Sequence, residues 1–173
     1  MEMLDEAVTA IREGRTPDFD QTESAHAEVD LKIPALIPND YLNDVPLRLE
    51  LYKRISSASS DESLSEIEIE MIDRFGLFPS QVKNLFFQAR VRLVAESLGI
   101  KQITLGSQSG RIEFREKTKV DPMVLISLVQ SKPREYKLDG ATALKIIRET
   151  VGSDARLGFV NEVLDALKRP ATA

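Results

Sequence analysis

Between Ser59 and Pro79 (SSDESLSEIEIEMIDRFGLFP) apolar residues recur every three or four positions, so that Leu64, Ile67, Met71 and Phe75 fall in one stripe of a 3.6-residue helix. That stripe predicts a buried face. Glu62, Glu66, Glu70 and Asp73 fall on the opposite side and form an acidic ridge with no basic residue inside it. The same period precedes and follows. Val45 to Ser57 reads as a helix with Leu47, Leu51 and Ile55 inward, Asp44 as its cap and Pro46 in the first turn, where a missing N–H does no harm. A third helix opens at Pro79, turns Val82, Leu85, Phe86, Ala89 and Leu93 inward, and stops at Gly99. Three helices in succession predict a helical cluster.

Elsewhere the period is two. Ala27 to Ile33 alternates strictly, Val29, Leu31 and Ile33 against Glu28, Asp30 and Lys32, until Pro34, and predicts a strand with one buried face. Pro38-Asn39-Asp40 is a turn. Gln102 to Leu105 and Arg111 to Arg115, joined by Gly106-Ser107-Gln108-Ser109-Gly110, predict a β-hairpin, followed by a helix from Asp121 to Ser131. A weaker pair, Tyr136 to Leu138 and Leu144 to Ile147 around Asp139-Gly140, precedes a final helix capped by Ser153, with Leu157, Val160, Leu164 and Leu167 inward, ending at Pro170. Hairpin then helix thus occurs twice, although no sequence period accompanies it. The expected fold class is α+β: a helical cluster packed with short, mostly antiparallel β-hairpins.

At the N-terminus Leu4, Ala7, Val8 and Ile11 predict a helix from Glu2 to Glu13, closing at Gly14. It begins without a cap, as expected of a helix continuing from a longer chain. The polar, aperiodic run to His26 reads as a linker. The expected organisation is a helix over 1–14, a linker over 15–26, a main domain over 27–170 and a tail over 171–173.

The chain has 173 residues, 42% hydrophobic and 29% charged, enough for one domain with a full core. Having no cysteine, it has no disulfide or thiolate chemistry, which fits a reducing cytoplasm. No apolar run reaches the length of a membrane span, and no signal-peptide pattern opens the sequence. The net charge of -5 argues against broad nucleic-acid binding.

Catalytic constellations are not legible. His26 is the only histidine and reads as a free surface side chain in the linker; no GxxxxGK[ST] loop is present, and Gly106 to Gly110 is a hairpin loop rather than a phosphate cradle. The carboxylates Asp61, Glu62, Glu66, Glu68, Glu70 and Asp73 line a helix face rather than converge on a cavity, as acid/base work or metal ligation needs. No catalytic residue, cofactor or metal is expected. Arg90, Arg92, Lys101, Arg111, Arg115, Lys117 and Lys119 are interleaved with Glu96, Glu113 and Glu116 and read as a mixed-charge surface, with docking of nucleic acid or polymerase as the alternative. Phe75, Leu77, Phe78, Phe86 and Phe87 are expected in core and helix-junction packing rather than a stacking platform.

The acidic ridge opposes its helix's own stability. Like charges four residues apart repel, and a carboxylate in the last turn, at the negative end of the helix dipole, costs about 0.3–1 kcal/mol. Glu70 and Asp73 stand there, just before Gly76. A solvated face is the ordinary account of an acidic helix. The two terminal acids favour instead a face kept for a basic partner.

Several stretches together resemble one family, the C-terminal domain of the bacterial transcription-repair coupling factor. They are IPALIPNDYLNDV (Ile33 to Val45), RLELYKRI (Arg48 to Ile55), IDRFGLFP (Ile72 to Pro79), LGI (Leu98 to Ile100), RIEF (Arg111 to Phe114) and YKLDG (Tyr136 to Gly140). The segment AVTAIREG resembles the family's connection from the motor region. Asn43 stands where the family often has proline and Met71 where leucine is usual. The resemblance implies a non-catalytic, autoinhibitory domain, itself monomeric, within an ATP-dependent DNA translocase that displaces stalled RNA polymerase. It implies an intramolecular partner, the UvrB-like N-terminal module, whose UvrA-binding surface the domain covers. It also implies that the acids at Glu70 and Asp73 face arginines of that module, and Glu66 and Arg74 are expected beside them at the contact.

Overall fold

The computed structural model describes residues 26–168, in the order β1 (Glu28–Asp30), α1 (Val45–Ser57), α2 (Asp61–Phe75), α3 (Ser80–Leu98), β2 (Ile100–Leu105), β3 (Ser109–Phe114), α4 (Pro122–Ser131), β4 (Tyr136–Asp139), β5 (Ala143–Ile147) and α5 (Ser153–Lys168). The expected 1–14 helix, most of the linker and the tail lie outside these residues. Within them the fold is α+β, as the sequence predicts.

Helix α3 is apolar on two opposite sides. Val82, Phe86 and Ala89, with Leu85 and Leu93 partly buried beside them, pack onto Leu51 and Ile55 of α1 and Leu64, Ile67 and Met71 of α2. Val91 and Ala95, with Phe87, Val94 and Leu98, point the other way, into a second core between the sheet and α5. Sequence periodicity identifies only the first stripe, because the second fills the positions where a surface helix would be polar. Between the stripes run two narrow polar margins. On one, Arg90 bonds Glu68 and Asp61 of α2; on the other, Arg92 donates to the carbonyls of Ala58 (3.0 Å) and Ile55 (3.4 Å) at the end of α1. α3 therefore holds both neighbouring helices by arginine as well as by apolar contact.

The irregular stretch between β1 and α1 closes the helical core. Ile37 and Leu42 are buried there, the Ile37 N–H donates to the Tyr52 hydroxyl (2.7 Å), and the buried Asn84 amide donates to the Pro34 carbonyl (2.9 Å). Side-chain caps set the helix starts: Asp44 accepts from the Leu47 N–H, Ser60 from Ser63 and Asp121 from Met123. Ser153, the expected cap of the last helix, is instead its first residue.

The sheet runs β1-β2-β3-β5-β4, with β1 parallel to β2 and the remaining pairs antiparallel. The two predicted hairpins lie side by side through β3 and β5, where Ile112 faces Leu144. One sheet face carries Ile103, Leu105, Ile112, Phe114, Leu144 and Ile146 into the core against Phe159, Val160, Val163, Leu164 and Leu167 of α5. Gly99 makes the passage from α3 to β2: its φ is 74°, and a Cβ there would stand 2.7 Å from the Thr118 Cα, because the chain beyond β3 returns to cap α3. Lys119 N–H (2.9 Å) and the Thr118 hydroxyl (2.7 Å) donate to the Leu98 carbonyl.

The first strand is shorter than its alternation predicts. It pairs only over Glu28 to Asp30, because the Asp30 carboxylate accepts the Lys32 N–H (3.1 Å) and pairs with the Lys32 ammonium, holding Lys32 at a φ of 54°. The chain turns off the sheet there. Leu31 is nonetheless fully buried, and its carbonyl and that of Lys32 accept from Arg156 of α5 at 3.0 and 2.8 Å. Arg156 is itself buried and donates further to the Thr150 hydroxyl (3.2 Å) and carbonyl (3.0 Å). The Thr150 hydroxyl in turn donates to the Gly106 carbonyl (2.9 Å). One guanidinium thus joins the exit of β1, the loop before α5 and the β2–β3 turn, with carbonyl and hydroxyl oxygens in place of a carboxylate.

Arg156→Met keeps much of the side-chain volume but strands those oxygens. Hydrogen bonds to a charged group contribute about 1.5–3 kcal/mol each, partly offset by relief of the buried charge, so the expected net loss is about 2–4 kcal/mol. Urea unfolding should show a lower midpoint at unchanged slope. A midpoint equal to that of the unmodified chain would mean that water replaces the guanidinium without cost.

Candidate functional site

Helix α2 starts at the Ser60 cap with Asp61 and Glu62 in the first turn, where the helix dipole favours them. Its far end is fixed by aromatic packing. Tyr41 meets Phe75 and Phe78 edge to face, both with centroids 6.2 Å apart, and Phe78 stacks on Phe86 at 5.3 Å. The Tyr41 hydroxyl, its pKa raised by burial, donates to the Gly76 carbonyl (2.8 Å). Gly76 ends the helix at a φ of 97°, its N–H on the Ile72 carbonyl (2.9 Å).

The acids of α2 divide into three groups. Asp61 and Glu68 face Arg90 of α3, whose pKa is raised first by the hydrogen bond to Glu68 and also by Asp61. Glu70 pairs with Arg54 of α1. This corrects the expectation that the whole ridge lacks a cation of its own. Glu62, Glu66 and Asp73 remain exposed, with no ion-pair partner among the described residues. Arg74 is exposed, its guanidinium 5.0 Å from the centroid of the Phe75 ring.

The outermost line of the helix is therefore Glu62, Glu66, Ile69 and Asp73, directly opposite Leu64, Ile67 and Met71. Ile69 is 62% exposed and Leu77, in the turn beyond Gly76, is 84% exposed. Sequence reasoning missed Ile69, although its offsets of seven, three and four from Glu62, Glu66 and Asp73 place it among the acids. Leu77 was expected in packing and is instead displayed to solvent. Phe86 is buried, and Phe75, Phe78 and Phe87 are partly so, as expected.

One further expectation is corrected. His26 is not free: its Nδ1 lies 3.1 Å from Glu96 Oε1, and Arg115 donates to its carbonyl (2.7 Å). The arginines of the basic series are engaged within the fold. Arg90 and Arg92 bind neighbouring helices, and Arg111 lies 3.0 Å from Asp139 and 3.6 Å from Glu113. Lys101, Lys117 and Lys119 are exposed.

A family model described as the TRCF domain matches residues 31–125, from the end of β1 into α4. The chain belongs to the TRCF domain family. It is 43% identical to the transcription-repair-coupling factor of Haemophilus influenzae over 95% of its length, and 42% identical to that of Escherichia coli over all of it. The chain spans 14% and 15% of those relatives. Its fold resembles the crystal structure of the C-terminal domain of transcription-repair coupling factor, with a TM-score of 0.63 at 20% identity, covering 83% of this chain and 94% of that one. The acidic helix lies inside the segment that matches the TRCF model.

In this TRCF domain Asp73 stands exposed in the last turn of α2 without an ion-pair partner among the described residues, and Arg74 beside it in that turn offsets only part of its cost at the negative end of the dipole. Asp73→Asn should therefore stabilise the domain by about 0.3–1 kcal/mol, which corresponds to a rise of roughly 1–4 °C in Tm. Differential scanning calorimetry at low salt would measure it. A fall in Tm would show that the carboxylate serves the fold.

Proposed function

We propose that this chain is the autoinhibitory C-terminal domain of a transcription-repair coupling factor. It folds onto the UvrB-like N-terminal module of the same protein and masks the surface that UvrA binds. The contact is the outer face of α2, where Glu66 and Asp73 are the exposed acids that meet the module, with Glu70 and Arg74 at its margin. The observation that carries this reading is the row of exposed carboxylates Glu62, Glu66 and Asp73, which have no ion-pair partner among the described residues and include one at the unfavourable helix end. The parent is read as an ATP-dependent DNA translocase that displaces stalled RNA polymerase and recruits excision repair in the cytoplasm. This domain contributes regulation rather than chemistry to that cycle.

Magnitudes make the closed state releasable. Exposed carboxylate–arginine pairs contribute about 0–1 kcal/mol each and are screened beyond roughly 8 Å at physiological salt. Tethering at an effective concentration on the order of millimolar keeps so weak an interface mostly closed. Engagement of polymerase or DNA needs only a few kcal/mol of preference for the open state to reverse that balance. Docking of this domain on DNA or polymerase is less well supported, since Arg90, Arg92, Arg111 and Arg115 already bond within the fold.

Glu66→Lys combined with Asp73→Lys in the full-length parent should increase its association with UvrA in a pull-down while leaving the thermal transition nearly unchanged. Equal association before and after reversal would refute the lid. Salt-dependent retention of the unmodified domain on DNA would favour the docking reading.

A further inference from the structure

Carboxylates that are hydrated in the free domain give orientation rather than strength, so a lid held by α2 needs an apolar contact beside them. Ile69 and Ile72, three residues apart on α2, are neighbours on the helix surface and are 62% and 38% exposed. Leu77 continues the apolar run past the helix end at 84% exposure. A β-branched residue on an exposed helical position is a poorer helix former than the alanine, lysine or glutamate that solvent would tolerate there. Ile69 in particular gains little from burial in the free domain, and more than a third of Ile72 is left to solvent.

We propose that Ile69, Ile72 and Leu77 form the apolar centre of the docking face, and that Glu66 and Asp73 form its charged rim. The occupant is a face of the UvrB-like module with an apolar hollow edged by arginine or lysine. This inference rests on the lid reading and supplies the contact that the acids lack. Charge complementarity selects the partner: exposed carboxylates stand one helical turn either side of Ile69, so a partner that covers the isoleucine must present cations to both. An apolar centre with a polar rim is the arrangement in which a few residues carry most of the binding energy.

The face is also rigid before it binds. Tyr41, Phe75, Phe78 and the Gly76 stop fix the end of α2, and Arg54 and Arg90 hold its two flanks to α1 and α3. Little ordering entropy is then lost on contact. The paired acids Glu70 and Glu68 serve this placement, whereas Glu66 and Asp73 are available to the partner.

Calorimetric titration of the 173-residue chain into the separated UvrB-like module, at low and at physiological salt, tests the assignment. Ile69→Gln with Ile72→Gln keeps helix propensity and should weaken binding by roughly tenfold or more. Its salt dependence should match that of the unmodified chain. Glu66→Gln with Asp73→Asn should flatten the salt dependence instead. Leu77→Ser lies outside the helix and gives an independent variant, expected to weaken binding in the same salt-independent way. Thermal transitions within a few degrees of the unmodified chain would establish that the variants fold. Unmodified binding by the isoleucine double variant overturns the apolar centre and leaves the lid standing. Absence of binding by the unmodified chain at both salt concentrations overturns both.

Discussion

Helix α3 must bury two opposite faces at once, and the rest of the fold follows from that requirement. A helix with apolar residues on both sides is unstable in water unless something covers each side. Here α1 and α2 cover one, and the sheet with α5 covers the other. The two cores are consequently coupled, since Phe86 and Val91 lie little more than a turn apart on one helix yet belong to different clusters. Arg90 and Arg92 occupy the only sectors left polar, and each reaches outward to a helix of the cluster. The orientation of α2 is thus set by α3, and with it the direction in which the acidic face points.

The charges of α2 divide between the fold and the proposed docking face. On its flanks, carboxylates meet arginines of the same chain, and the pairs fix rotation about the helix axis more than they add free energy. On its outer line, acids and an isoleucine stand exposed, with no partner among the described residues. A helix selected only for the free domain would carry a neutral or basic residue at Asp73, as it does at Arg74 in the same turn. The proposed docking onto a second surface accounts for the composition of the outer line.

Much of the architecture was legible in the sequence because its signals are local. The three successive helices, both hairpins and the final helix follow from period, caps and turn residues, and Val45 to Ser57 is observed with the predicted ends. Three features were not legible, each for a long-range reason. The second stripe of α3 has meaning only once the sheet lies against it. The strand at Glu28 stops early because a side chain two residues away bends the backbone, which alternation does not register. Glu70 finds its cation sixteen residues earlier on a neighbouring helix, so its neutralisation depends on how α1 and α2 pack. For the site, sequence alone located the acidic face through the dipole argument. It did not locate Ile69, because a lone isoleucine among glutamates reads as an interruption of the pattern rather than its centre.

Arg156 also determines how the domain responds to traction. A parallel strand of three residues would peel readily from a sheet edge, yet the carbonyls gripped by the guanidinium lie just past that strand, at Leu31 and Lys32. A pull on the polypeptide ahead of His26 therefore passes beyond the short ladder and is transferred to α5, across 125 positions of sequence. Yielding requires the first strand and the last described helix to slide past each other, so the hydrophobic core under the sheet resists as a whole. Hauling on the leading segment would move the folded body as a unit before unravelling it.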